Sequence, residues 1–197
     1  NTIGQELQDI CDVIDAIRSN ELLPKGYEHN GKIFLMGHSR GSGIALLATT
    51  KRAIDACSLW SPVSSFDRYT VRQKSLWIDR GYVRVPLSSR GPAFRMNAEY
   101  LHDIERHHQE YSLTAAIAAF PGDVAIVVGE QDMATSPDEA RELARSARPQ
   151  QCALHILPAA GHTFGMHDSA DPLTSACLQA LDITRKLFLT NSSVPQS

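Results

Sequence analysis

No stretch of this sequence approaches the roughly 18–20 consecutive apolar residues that a bilayer-spanning helix requires, which sets aside a helical membrane protein. Charge of one sign is also lacking. Nineteen Lys and Arg stand against 22 Asp and Glu, a net charge of −3, so nothing in the overall charge points to a nucleic-acid partner. Cysteine is scarce and badly spaced for chemistry: Cys11, Cys57, Cys152 and Cys177 form no CxxC pair and no zinc-type cluster. Each falls in a stretch that reads as helix or buried strand, where a free thiol behaves as a small hydrophobe. That usage favours a reducing, cytoplasmic compartment. Repeats and low-complexity tracts are missing too, and only residues 190–197 read as a disordered tail.

What is present is an ordinary globular composition, 43% hydrophobic over 197 residues, enough for one domain with one sizeable core. Ile3, Leu7, Ile10, Ile14 and Ile17 recur at spacings of three and four, an amphipathic helix for which Thr2 and Gln5 supply a capping box. Four short apolar runs then read as strands buried on both faces: 32–37, 53–61, 123–129 and 151–158. Helical patterns separate or follow them at 39–52, 137–147 and 173–189, the second opening on Pro137 with acids in its first turn. Strands alternating with helices predict an α/β fold, a parallel sheet flanked by helices. Residues 66–121 are too long for a single crossover. Rich in arginine and carrying helical pieces near Val71–Asp79 and Asn97–Glu110, they predict a helical cap insertion over the strand ends.

The segment that carries chemistry is Gly37-His38-Ser39-Arg40-Gly41, placed where the first apolar run gives way to a helix. A G-x-S-x-G in that context puts a serine on a sharp turn above the carboxyl edge of the sheet. Small residues flank it because the turn brings strand and helix backbones together. The helix N-terminus aims backbone N–H groups at a developing oxyanion, and the Arg40 amide is the expected donor. A serine hydroxyl needs a base, and the base needs an orienting carboxylate. The order Ser, acid, His is met by Asp132, 93 residues after Ser39 and just beyond the third strand, and by His162, beyond the fourth. Ser39, Asp132 and His162 are the candidate catalytic residues. Glu130 is the competing acid, since it follows the same strand.

Other residues carry weaker claims. His167 lies five residues after His162 but has no third partner for a metal site. His155 reads as a packed strand residue, His107 and His108 as a solvated helix face, and His38 as either a pocket wall or a structural neighbour of the serine. Trp60, Phe66 and Trp77 are candidate pocket walls or core. The Arg40 side chain is expected in a salt bridge. The chemistry calls for no metal and no organic cofactor.

GHSRGSG, LWSPVSSFDRY, GEQD with Pro137 opening the next helix, and AGHTFG resemble the α/β-hydrolases, close to dienelactone-hydrolase-like and prolyl-oligopeptidase-like members. The resemblance runs over residues 1–189 and implies a hydrolase domain with Ser39 as nucleophile, Asp132 as acid and His162 as base. It implies a serine hydrolase cleaving an ester-like bond of a small molecule, or alternatively a peptidase acting on short peptides. A non-catalytic module of the same fold is the rival from another class. Such proteins usually begin with further strands, one followed by a loop that gives a second oxyanion amide, whereas this sequence opens at Asn1 in the helix before the serine. N-terminal strands are therefore expected to be missing. The strand at 32–36 is expected at a sheet edge, poised to pair with a missing N-terminal segment, and the chain alone to be poorly soluble and weakly active.

Overall fold

The computed structural model describes residues 2–86, 93–166 and 172–192. Helix α1 (Ile3–Arg18) starts as its sequence dictates: the Gln5 amide donates to the Thr2 hydroxyl at 3.2 Å and the Thr2 amide to the Gln5 side chain at 3.0 Å. Its inward face buries Ile3, Leu7, Cys11 and Ile14.

Four strands form one parallel sheet in the order β1 (Phe34–His38), β2 (Ala56–Trp60), β5 (Asp123–Gly129), β6 (Cys152–Leu157). Spatial order thus follows chain order. The period-2 alternation of a strand assigns its residues to two faces. On β2, Cys57 and Leu59 join a large apolar cluster with α1, α2 (Arg40–Ala48), α5 (Leu113–Ala119) and α6 (Pro137–Ser146). Ser58 and Trp60 point the other way, and both meet Thr184 of α7 (Ser175–Asn191), at 2.7 and 2.9 Å. The smaller cluster on that side holds Trp60, Val127, Leu157, Phe164, Cys177 and Ala180. β1 lies at an edge of this sheet, with Met36 46% exposed.

Residues 66–121 are not only helical. Helix α3 (Val71–Arg80) ends on Gly81 in the left-handed region, φ 72°, and the chain turns into β3 (Tyr82–Pro86), which pairs antiparallel with β4 (Ala93–Asn97). The physical cause is alternation: Val83 and Val85 pack toward the core while Arg84 stays exposed. A run of five residues is short enough for that period to go unread. Helix α4 (Glu99–Arg106) and α5 complete the segment. Trp77 fixes α3 to the hairpin, its indole N–H donating to the Met96 carbonyl at 3.0 Å and its ring stacking on Tyr100.

The buried carboxylate of Asp103 joins this insertion to the main body. It accepts from the Gly4 amide at 3.0 Å, at the N-terminus of α1, and from the Tyr111 hydroxyl at 3.3 Å. A carboxylate suits a helix N-terminus, where unpaired N–H groups carry partial positive charge. Burial, together with the neighbouring Asp103 charge, pushes the Tyr111 phenol up to about 12, so it remains a donor at neutral pH.

Asp103→Ala leaves the Gly4 amide and the Tyr111 hydroxyl without their acceptor. It should lower the urea unfolding free energy by about 2–3 kcal/mol, since the buried Tyr111 hydroxyl left unsatisfied costs roughly 1–3 and the half-buried Gly4 amide, which water can reach, adds less. An unchanged urea midpoint would show that the clamp contributes nothing.

Candidate active site

The serine turn is built by close backbone approach. A Cβ on Gly37 would lie 2.4 Å from the Gly41 carbonyl oxygen and 2.5 Å from the Ser42 Cα, so only glycine fits there. A Cβ on Gly41 would meet nothing within 4 Å. The crowding that the sequence pattern assigns to both flanks is therefore confined to the strand side. Ser39 sits at φ 56°, ψ −125°, an uncommon conformation for a residue with a side chain. Its side chain makes no capping bond to α2. Arg40 is the first residue of that helix, so its N–H has no intrahelical acceptor.

Beyond β5 the chain turns tightly against the β6 end. The Gln131 amide donates to the Ala160 carbonyl, and a Cβ on Gly129 would fall 2.2 Å from that same oxygen. The turn aims Asp132 inward, where it is 3% exposed. His162, on the turn after β6, spans the two partners. Its Nδ1 lies 2.9 Å from Asp132 Oδ2 and 3.1 Å from Oδ1, and its Nε2 lies 3.1 Å from Ser39 Oγ. An ionised carboxylate only accepts, so the ring proton resides on Nδ1 and the bare Nε2 faces the serine. The competing acid, Glu130, is turned away and accepts from the Ala159 amide at 3.3 Å.

Burial by itself would raise the Asp132 pKa. The Thr135 amide, the His162 ring, the nearby Ser61 hydroxyl and the Ala134 amide outweigh it and hold the group below its ordinary range. The Thr135 hydroxyl lies 3.0 Å from Asp132 Oδ2, 2.9 Å from the Ser61 carbonyl and 3.3 Å from His162 Nδ1. With one proton to donate, it serves one of the two oxygens at a time. Ser61 itself, at φ 43°, donates its hydroxyl to the His162 carbonyl at 3.1 Å. Neither Thr135 nor Ser61 figures in the sequence reading. The D-x-x-T spacing is a local signal for the first, because an acidic side chain commonly caps the turn that follows it. Ser61 meets His162 across 101 residues and leaves no local signal.

The remaining candidates sort themselves by contact. His38 Nε2 donates to the His162 carbonyl at 2.9 Å; the residue is exposed overall, and desolvation where the ring meets the His162 turn pulls its pKa down. The Arg40 guanidinium pairs with Glu6 at 2.8 Å and lies over the Tyr100 ring. Trp60, Phe66 and Trp77 are all core residues, and Trp77 also lines a cavity of about 590 Å³ with Tyr69, Leu76 and Arg80. His155 is half-buried on β6, and His107 and His108 sit on the outer surface at the end of α4. His167 lies outside the described residues. Of the cap arginines, Arg68 binds Glu139 at 2.6 Å and the Ala134 carbonyl at 2.7 Å, which braces the turn that carries Asp132.

Comparison with known proteins agrees with this architecture. A family model described as the alpha/beta hydrolase family matches residues 2–176. A putative hydrolase from Agrobacterium vitis superposes with a TM-score of 0.71 at 16% identity, covering 98% of this chain and 69% of that one. Est1E from Butyrivibrio proteoclasticus gives 0.64 at 17%, covering 98% and 72%. A monoacylglycerol lipase from Paleococcus ferrophilus gives 0.62 at 15%, covering 94% and 76%. No curated protein matches by sequence.

The low Asp132 pKa ties stability to pH. The carboxylate's bonds are complete above the unfolded value of about 3.9 and are lost as pH falls through the lower, folded value. Urea unfolding between pH 7 and pH 2 should therefore show a fall in stability in the acid range that Asp132→Asn flattens. Parallel profiles for the two proteins would refute this linkage.

Proposed function

The chain belongs to the alpha/beta hydrolase family, and we propose that it cleaves carboxylic ester-like bonds through an acyl-serine intermediate, with Ser39, His162 and Asp132 as its catalytic residues. The observation that carries this reading is the continuous chain from Ser39 Oγ through both ring nitrogens of His162 to a buried carboxylate. A proton relay of that geometry turns a weak hydroxyl into a nucleophile.

On this reading Ser39 Oγ attacks the acyl carbonyl while His162 Nε2 takes its proton. Asp132 holds the Nδ1–H tautomer and offsets the positive charge that forms on the ring. The negative charge on the tetrahedral oxygen faces the α2 N-terminus, where the Arg40 amide donates. Collapse of the intermediate expels the alcohol, which takes the proton from His162. Water then attacks the acyl-serine with His162 again as base, releasing the acid and restoring the hydroxyl. No step draws on a metal or an organic cofactor.

An esterase domain and a monoacylglycerol lipase among the structural neighbours favour an ester of a small molecule over a peptide bond. The strained backbone at Ser39 speaks against a module that only binds, because such strain persists where the surroundings enforce it and is typical of reactive positions.

Hydrolysis of p-nitrophenyl butyrate should be detectable with the wild type, and Ser39→Ala should reduce kcat by at least about 10⁴-fold. A fluorophosphonate probe should attach to Ser39, as read by peptide mass. Turnover that survives Ser39→Ala would remove the serine from the mechanism, and a native protein that never labels would favour the binding module.

A further inference from the structure

We infer that His38 and Ser61 are positioning residues that set the reach of His162 by holding its backbone carbonyl. The inference rests on His162 being the general base. His162 sits in a turn between β6 and α7, flanked by residues with positive φ at Ala159 (54°) and Phe164 (54°). Among the described residues, its own backbone takes part in two hydrogen bonds, both at the carbonyl oxygen. His38 Nε2 donates at 2.9 Å and Ser61 Oγ at 3.1 Å. The two donors come from the ends of β1 and β2, 124 and 101 residues away in sequence.

A carbonyl oxygen only accepts, so each contact has one direction. His38 carries its proton on Nε2, and the Ser61 hydroxyl points at the same oxygen. The two approach from neighbouring strand ends and fix that atom in space. The imidazole then has little freedom left: Asp132 aligns the ring at Nδ1, and the held carbonyl sets how far Nε2 extends toward Ser39. The His38 and His162 rings lie 4.8 Å apart between centroids, tilted by 45°, so His38 also walls one side of the base. Both donors belong to positions otherwise explained by the elbow and the strand ladder, which is why their side chains stand out only in three dimensions.

A glutamine amide nitrogen is as many bonds from Cβ as histidine Nε2, so His38→Gln can still donate, whereas His38→Leu keeps the volume and cannot. In the intact chain, His38→Leu and Ser61→Ala should each lower kcat by about 10-fold and the double variant by about 100-fold, because small misplacements of a catalytic group are costly. KM should stay within about two-fold, His38→Gln should recover most of the loss, and the rate of fluorophosphonate labelling at Ser39 should fall in step with kcat. Thermal midpoints establish that each variant folds; should His38→Leu fail to do so, Ser61→Ala and His38→Gln carry the test. Wild-type kcat in His38→Leu, a loss in His38→Gln as large as in His38→Leu, or a loss confined to KM would overturn the assignment. A wild type that does not label at Ser39 at all would overturn the nucleophile reading and this one together. Labelling by a wild type alongside a fully active His38→Leu would overturn the positioning role alone.

Discussion

The parallel ladder extends one hydrogen bond past the end of each strand, and the chemistry-bearing groups hang from those last bonds. The Ser39 amide donates to the Trp60 carbonyl, the Ser61 amide to Val127, and the Glu130 amide to Leu157. In a parallel sheet these bonds are evenly spaced and slanted, so neighbouring strands end in a staggered row. Ser39, Ser61 and the Glu130–Asp132 turn are thereby set side by side, and His162 lies across them. No local preference could assemble this row. It follows from the register, and the register follows from which residues can be buried on both faces.

Much of this was legible in the amino-acid order because parallel strands announce themselves strongly. Asp123–Gly129 begins and ends where the apolar run does; β2 and β6 are trimmed at both ends, and β1 starts two residues later and runs one residue further than its apolar run. G-x-S-x-G declares its turn through Gly37, whose missing side chain is a steric requirement. Chain order points to His162 and narrows the acid to Glu130 or Asp132; the family resemblance favours Asp132, which is the one that lies against the His162 ring. Less visible was whatever depends on contacts between distant segments: the bond from Ser61 to His162, the clamp of Asp103 on Gly4, and the small hairpin within the insertion. The hairpin hides because its apolar positions, Val83 and Val85, are separated by Arg84 and followed by Pro86, a run too short for its alternation to read as a strand.

Charge in the interior is handled by the same device twice. Asp132 and Asp103 are both buried, and each is surrounded by donors rather than paired with a guanidinium. Backbone amides serve well in this role because they are already fixed by the fold and lose little freedom when they bind. At Asp132 the result is an anion held in one orientation beside an imidazole. At Asp103 it is a strut between α1 and α4.

The separation of the interacting groups along the chain has a temporal side. Ser39 and His162 are 123 residues apart, so the strained serine turn is synthesised long before any base can reach it. A single domain folds as a unit, so until the C-terminal segment has emerged the serine has no imidazole beside it. Through that period the serine hydroxyl keeps the reactivity of an ordinary alcohol. On the proposed reading, the molecule acquires its reactive centre only when the segment after β6 docks across the strand ends.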